Sequence, residues 1–147
     1  MTAVTDYMTR HHRQCDEAFA SAEDAVSAKD WAAARQKFDR LRDIMKRHFA
    51  MEEQVLFPAF EERSGMTMGP TEVMRQEHAQ MNHLLEQMNP AVAAQDAEQF
   101  LGCSETLLVL MQQHNMKEEG MLYRMIDQAF SGETQTLIGR LEDAAAS

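Results

Sequence analysis

Residues 48–57 read His48-Phe49-Ala50-Met51-Glu52-Glu53-Gln54-Val55-Leu56-Phe57, and residues 114–123 read His114-Asn115-Met116-Lys117-Glu118-Glu119-Gly120-Met121-Leu122-Tyr123. The two stretches lie 66 residues apart, and the same offset relates His12 to His78. The chain therefore reads as two helical hairpins of similar pattern. Each has one His on its first arm and a His-x-x-x-Glu on its second.

Apolar residues around these positions recur at alternating spacings of four and three, the signature of helices that bury one stripe. The first seam is Met8, His12, Cys15, Phe19, Ala22, Val26. The second is Trp31, Ala34, Phe38, Leu41, Met45, His48, Glu52, Val55, Ala59. The third reads Met74, His78, Met81, Leu85, Met88, Val92, and the fourth Phe100, Ser104, Leu107, Met111, His114, Glu118, Met121, Met125. The strongly polar residues on these seams are four His and two Glu.

The breakers set the limits. Asp30 suits an N-cap before Trp31, Ser64–Pro70 is a long turn-rich stretch, Gln95-Asp96 ends the third segment, and Ser131-Gly132 ends the fourth. Helices are expected at about 5–27, 31–63, 71–94 and 97–130, with a short amphipathic tail carrying Leu137, Ile138 and Leu141. Pro90 is expected to kink the third helix or to end it early. Short connections between long amphipathic helices predict an all-α, up-down-up-down four-helix bundle spanning 1–147 as a single domain.

Composition narrows the class. The chain has 147 residues, a net charge of −10 and 44% hydrophobic residues, too apolar for a disordered acidic tail. Its charge would repel phosphates, so neither nucleic acid nor an anionic membrane is expected as a partner. Two cysteines, Cys15 and Cys103, make no disulfide framework, and the start shows no apolar leader core. A cytoplasmic location is expected, and the oligomeric state is left open.

A single His on a seam reads most simply as a hydrogen-bonded core residue. Two seam carboxylates change that balance, because an ionised carboxylate in an apolar core costs several kcal/mol unless paired. A His⁺/Glu⁻ network is possible but is a poor way to stabilise a bundle. Metal binding explains the set, since imidazoles and carboxylates suit Fe, Mn or Zn. Within each hairpin the two His are equidistant from the turn, and His-x-x-x-Glu advances about 400° and ~6 Å, so the six side chains converge at one level. His12, His48, Glu52, His78, His114 and Glu118 are too many for one catalytic zinc. They suit two ions, each with two His, bridged by both Glu.

At these residues the sequence resembles the hemerythrin-like family, the HHE cation-binding domain, over nearly its whole length. The motifs that carry the resemblance are His12, His48-x-x-x-Glu52, His78 in Glu77-His78-Ala79-Gln80-Met81-Asn82-His83, and His114-x-x-x-Glu118. The resemblance implies two non-heme iron ions with a solvent-derived oxo or hydroxo bridge, and chemistry directed at O₂, NO or peroxide. The sequence departs from the oxygen-carrying members, which have a His-x-x-x-His pair on the third helix. Here Asn82 takes the second position, and His83 falls about 500° from His78, off the seam. This departure puts reversible oxygen carriage in doubt.

Neighbouring residues define secondary expectations. His11 is an alternative to His12, but His12 keeps the register and the offset. Asp16 and Asn82, each four residues after a seam His, are candidates to support the ligands. Glu53 and Glu119 lie off the seam, with a solvated or supporting role. Cys15 reads as a buried small hydrophobe, and Tyr123, opposite Phe57 in the repeat, as packing, with a hydrogen bond to a bound oxygen species as the sharper alternative. The seam Met read as adaptable core filling. Three functions are open: an O₂- or NO-binding module; a di-iron enzyme or iron donor in oxidative or nitrosative stress; or a zinc or mixed-metal site that only stabilises the bundle.

Overall fold

A computed structural model describes residues 3–146, and among them there is no strand. Helix α1 spans Val4–Ser27 and α2 spans Trp31–Met51; a π-helical turn at Glu52–Leu56 joins α2 to α3 at Phe57–Ser64. Helix α4 is Pro70–Ala93 and α5 is Ala97–Lys117, followed by a second π-helical turn at Glu118–Leu122, then α6 at Tyr123–Ala129 and α7 at Thr134–Ala146. The expected boundaries hold to within a residue or two. Pro90 does not end α4 early: it lies in the last turn, and the helix runs on to Ala93.

The repeat extends into the turns. After α1, Lys29 adopts φ 57°, and Asp30 N–H reaches back to Ala25 O at 3.0 Å. After α4, Gln95 adopts φ 55°, and Asp96 N–H bonds Ala91 O at 2.9 Å. Both are left-handed closures that satisfy the last helical carbonyls. Each following Asp then caps the next helix: Asp30 accepts from Ala33 N–H at 3.2 Å and Asp96 from Gln99 N–H at 3.0 Å. The same chemistry, 66 residues apart, turns each hairpin.

Helix α1 packs on α2 and α4 on α5, while α1 also meets α5 and α2 meets α4. Helix α7 lies against α1, α2 and the first π turn, burying Leu137, Ile138 and Leu141. The apolar core falls into two clusters. One, toward the hairpin turns, contains Phe19, Phe38, Leu41, Leu85, Phe100 and Leu107. The other, toward the opposite end, contains Met8, Met51, Leu56, Phe57, Met74, Leu122 and Ile126. The four His and two Glu lie where these clusters part.

The π turns correct the expected seam of the fourth segment. Tyr123 N–H bonds Glu118 O and Phe57 N–H bonds Glu52 O, five residues back instead of four. One extra residue per turn rotates the next stretch of helix by about 100°. Met121 is therefore half exposed and Met125 only partly buried, while Leu122, Tyr123, Ile126 and Phe130 face the core. After Glu52 the same shift buries Leu56, Phe57 and Phe60, yet Val55 and Ala59 stay buried as expected. Helix α7 covers that second face.

Candidate metal centre

Each long helix contributes to one buried cluster. Helix α1 supplies His12, α2 His48, α4 His78 and α5 His114, and the two π turns open on Glu52 and Glu118. All six side chains are at most 4% exposed. Glu52, His78, His114 and Glu118 each place a donor atom within 4.8 Å of one another, and so do His12, His48 and Glu118. The structure thus brings the six predicted residues into two overlapping donor groups that share Glu118.

The spacings fit metal ligation. Two ligand atoms about 2.1 Å from one ion and at right angles lie about 3 Å apart. Observed separations are 3.0 Å for His12 Nε2–Glu118 Oε1, 3.2 Å for His114 Nε2–Glu118 Oε2, 3.0 Å for His78 Nε2–Glu52 Oε1 and 3.4 Å for His48 Nε2–Glu52 Oε1. Glu118 turns one oxygen toward His12 and the other toward His114. His48 Nε2, His114 Nε2 and Glu118 Oε2 are buried without a hydrogen-bond partner. Buried polar atoms left this way are costly, and a cation among them would satisfy all three.

Carboxylates outside the cluster orient the rings. Glu119 lies 2.6 Å from His12 Nδ1, Glu53 3.4 Å from His78 Nδ1, and Glu77 2.8 Å from His114 Nδ1. Lys117 pairs with Glu77 from the solvent side. A carboxylate on Nδ1 fixes the tautomer and aims Nε2 inward. Glu53 and Glu119 therefore support the cluster, as expected, whereas Asn82 and Asp16 do not. Asn82 is exposed, and Asp16 is exposed at the α1 surface without a hydrogen bond to the cluster. Register explains this: the buried stripe continues three residues on, through Cys15 and Met81, so Asp16 and Asn82, about 40° to the other side of each His, fall at its exposed edge. His83 is exposed too and bonds Gln87 at 3.0 Å. Glu77 was missed by the seam pattern, since it precedes His78 and belongs to no stripe. Its signal is only its adjacency to a seam His.

Tyr123 does more than pack. Its hydroxyl, fully buried, lies 2.7 Å from Glu52 Oε2, 2.9 Å from Glu118 Oε1 and 3.1 Å from His12 Nε2. Phe57, its counterpart, is apolar and stacks on His78 with ring centroids 5.7 Å apart. On the other side of the cluster a cavity of about 10 Å³ is bounded by His12, His48 and His114 and by Cys15, Met45, Phe49, Met81, Met111 and Asn115. Burial, reinforced by Asp16, pushes the Cys15 thiol up to about 12, so it faces the cavity as a neutral group. Asn115 also lines a groove of about 580 Å³ between α1 and α5, beside Asp16, Glu23 and Glu119.

Charge is balanced by protons when no cation is bound. Burial opposes the imidazolium of His12, but hydrogen bonding and charge from Glu118 outweigh it and raise the group to about 9. Burial likewise opposes His78, and hydrogen bonds to Glu52 and Glu53 raise it to about 9. His48 is held well below its usual range by burial, only partly offset by Glu52. Burial and the charge of Glu118 push Glu52 up; Glu118 is held low, because contacts with Glu52 and His114 overcome its burial.

A helical protein with a buried, carboxylate-linked cluster of imidazoles between its long helices belongs to the class of helical metal-binding proteins. The family model described as hemerythrin HHE cation binding domain matches residues 3–126, and the chain belongs to this family. No curated protein and no solved structure matches it.

Proposed function

We propose that the protein holds two non-heme iron ions, bridged by Glu52 and Glu118, and uses them to bind or react with O₂, NO or peroxide. The observation that supports this reading is the pair of overlapping donor groups that meet at Glu118. His12 and His48 would hold one ion, His78 and His114 the other. The ligand set of imidazole nitrogens and carboxylate oxygens suits iron. On the same reading, the four long helices run up-down-up-down and residues 1–147 form one cytoplasmic domain. Among the described residues no helix is long and apolar enough to cross a membrane.

When bound, two ferrous ions supply electrons and open coordination positions to a small oxidant. The chain does the rest. Glu53, Glu77 and Glu119 keep three imidazoles aimed inward, and the Tyr123 hydroxyl donates to a carboxylate instead of leaving it bare. The Met- and Phe-lined cavity excludes bulk water and has room for about one water-sized molecule. A small uncharged ligand suits that space better than a peptide or a nucleotide.

The test is metal content, together with the optical spectrum of anaerobically reduced protein before and after admission of air. Two irons per chain and a coloured oxidised product support the proposal. Colour that reverses on removing O₂ supports binding, and steady peroxide consumption supports an enzyme. Zinc without iron, in protein grown with both metals, refutes it in favour of a purely structural site.

A further inference from the structure

The repeat that places the six donors fails at two positions, and both failures fall on the same half of the cluster. Glu77 holds His114 Nδ1 at 2.8 Å and is itself paired with Lys117. The residue 66 positions earlier is His11. Its ring stands 6.3 Å from that of His48, centroid to centroid, and His48 Nδ1 is left without a partner. His78 Nδ1 also makes no hydrogen bond, but Glu53 stands 3.4 Å from it, so His48 is the one imidazole of the four with no carboxylate beside its Nδ1.

The second failure is Tyr123 in place of Phe57. Its hydroxyl, 2.7 Å from Glu52 Oε2 and 3.1 Å from His12 Nε2, stands between Glu52 and the His12 side. Glu52 accordingly converges with His78, His114 and Glu118, while His12 and His48 converge with Glu118, and of these two Glu52 approaches only His48, at 3.4 Å against 3.0 Å for His78. One half of the cluster has four converging donors and a carboxylate beside each imidazole Nδ1. The other has three, with one imidazole oriented.

We propose, resting on the two-metal reading above, that the positions differ in affinity. The first divalent iron ion binds at His78 and His114, and the second binds at His12 and His48 at least about tenfold more weakly, as an exchangeable ion. Losing an orienting partner typically costs 10- to 100-fold in metal affinity, and the looser approach of Glu52 to His48 adds to that difference. His11 is the residue that sets the contrast, by occupying the place where a carboxylate stands in the other hairpin.

The experiment is an anaerobic titration of the metal-free protein with Fe²⁺ against a competing chelator. Uptake of two equivalents in two steps, separated by at least about tenfold, is expected. Glu77→Gln weakens the tight step, and His48→Ala removes only the weak one. His11→Glu, at a half-buried position, tightens the weak step, while His11→Ala leaves it unchanged. Two equivalents bound with a single affinity, His48→Ala abolishing the tight step, or His11→Glu without effect overturns the inequality and leaves the two-metal reading standing. One equivalent or none at saturation overturns both.

Discussion

Raising the pH of the metal-free protein from about 6.5 to about 9 should destabilise it. His12 and His78 are raised to about 9 in the folded state, against an ordinary value of 6.5. A group whose folded value is raised contributes stability that is complete below its unfolded value. That stability is lost as pH climbs through the folded value. The window is therefore from about 6.5 to about 9. At about 1.36 kcal/mol per unit, each imidazolium contributes on the order of 3 kcal/mol. Both draw on the Glu52–Glu118 pair, so the joint loss should lie between about 3 and 6 kcal/mol, much of the stability of an ordinary domain. Urea unfolding of chelator-stripped protein at about pH 6, 7.5 and 9.5 reads this directly. With a slope of about 1–3 kcal/mol per molar, the midpoint should fall by at least about 1 M. Metal binding has the opposite dependence, because an ion must displace those protons, so affinity rises over the same window. A metal-free midpoint that stays level or rises between pH 6.5 and 9 would falsify the assignment of charged imidazoles to the core.

The same geometry sets other outcomes. Glu118→Ala removes the carboxylate common to both donor groups, and elemental analysis should show metal falling by at least half; unchanged content refutes a shared bridge. The register shift at the second π turn makes Ile126→Ala cost about 2–5 kcal/mol and Met121→Ala less than about 0.5, by chemical denaturation. Equal costs would return Met121 to the core. Asp30→Ala and Asp96→Ala should each lose about 1 kcal/mol through the helix cap. Lys29→Gly and Gln95→Gly, at positive φ, should gain up to about 1 kcal/mol in the same assay.

The parts of the centre legible in the sequence are those that depend on register. His12, His48, Glu52, His78, His114 and Glu118 keep the spacing of a buried stripe, and the offset of 66 brings two such stripes into correspondence. A straight helix carries that pattern faithfully, so six buried residues could be named from spacing. Glu77 and the true role of Tyr123 were hidden for one reason: both act across helices. Glu77 leaves α4 to reach a ring on α5, and Tyr123 owes its position to the π turn that precedes it. A seam assigns each residue a face but not a neighbour.

By itself, then, the sequence determined the helices, the turns that join them, the family and which polar side chains enter the core. These are local matters of period and capping, settled within about four residues along the chain. The tertiary structure decided the course of the chain beyond Glu52 and Glu118. There an extra residue in each turn exposes Met121 and brings Tyr123 inward, a distortion that no residue's own helix propensity encodes. It also decided that the hairpins are unequal partners. His11 and Glu77 occupy equivalent positions in the chain, but only packing shows that Glu77 meets an imidazole while His48 has no carboxylate to orient it.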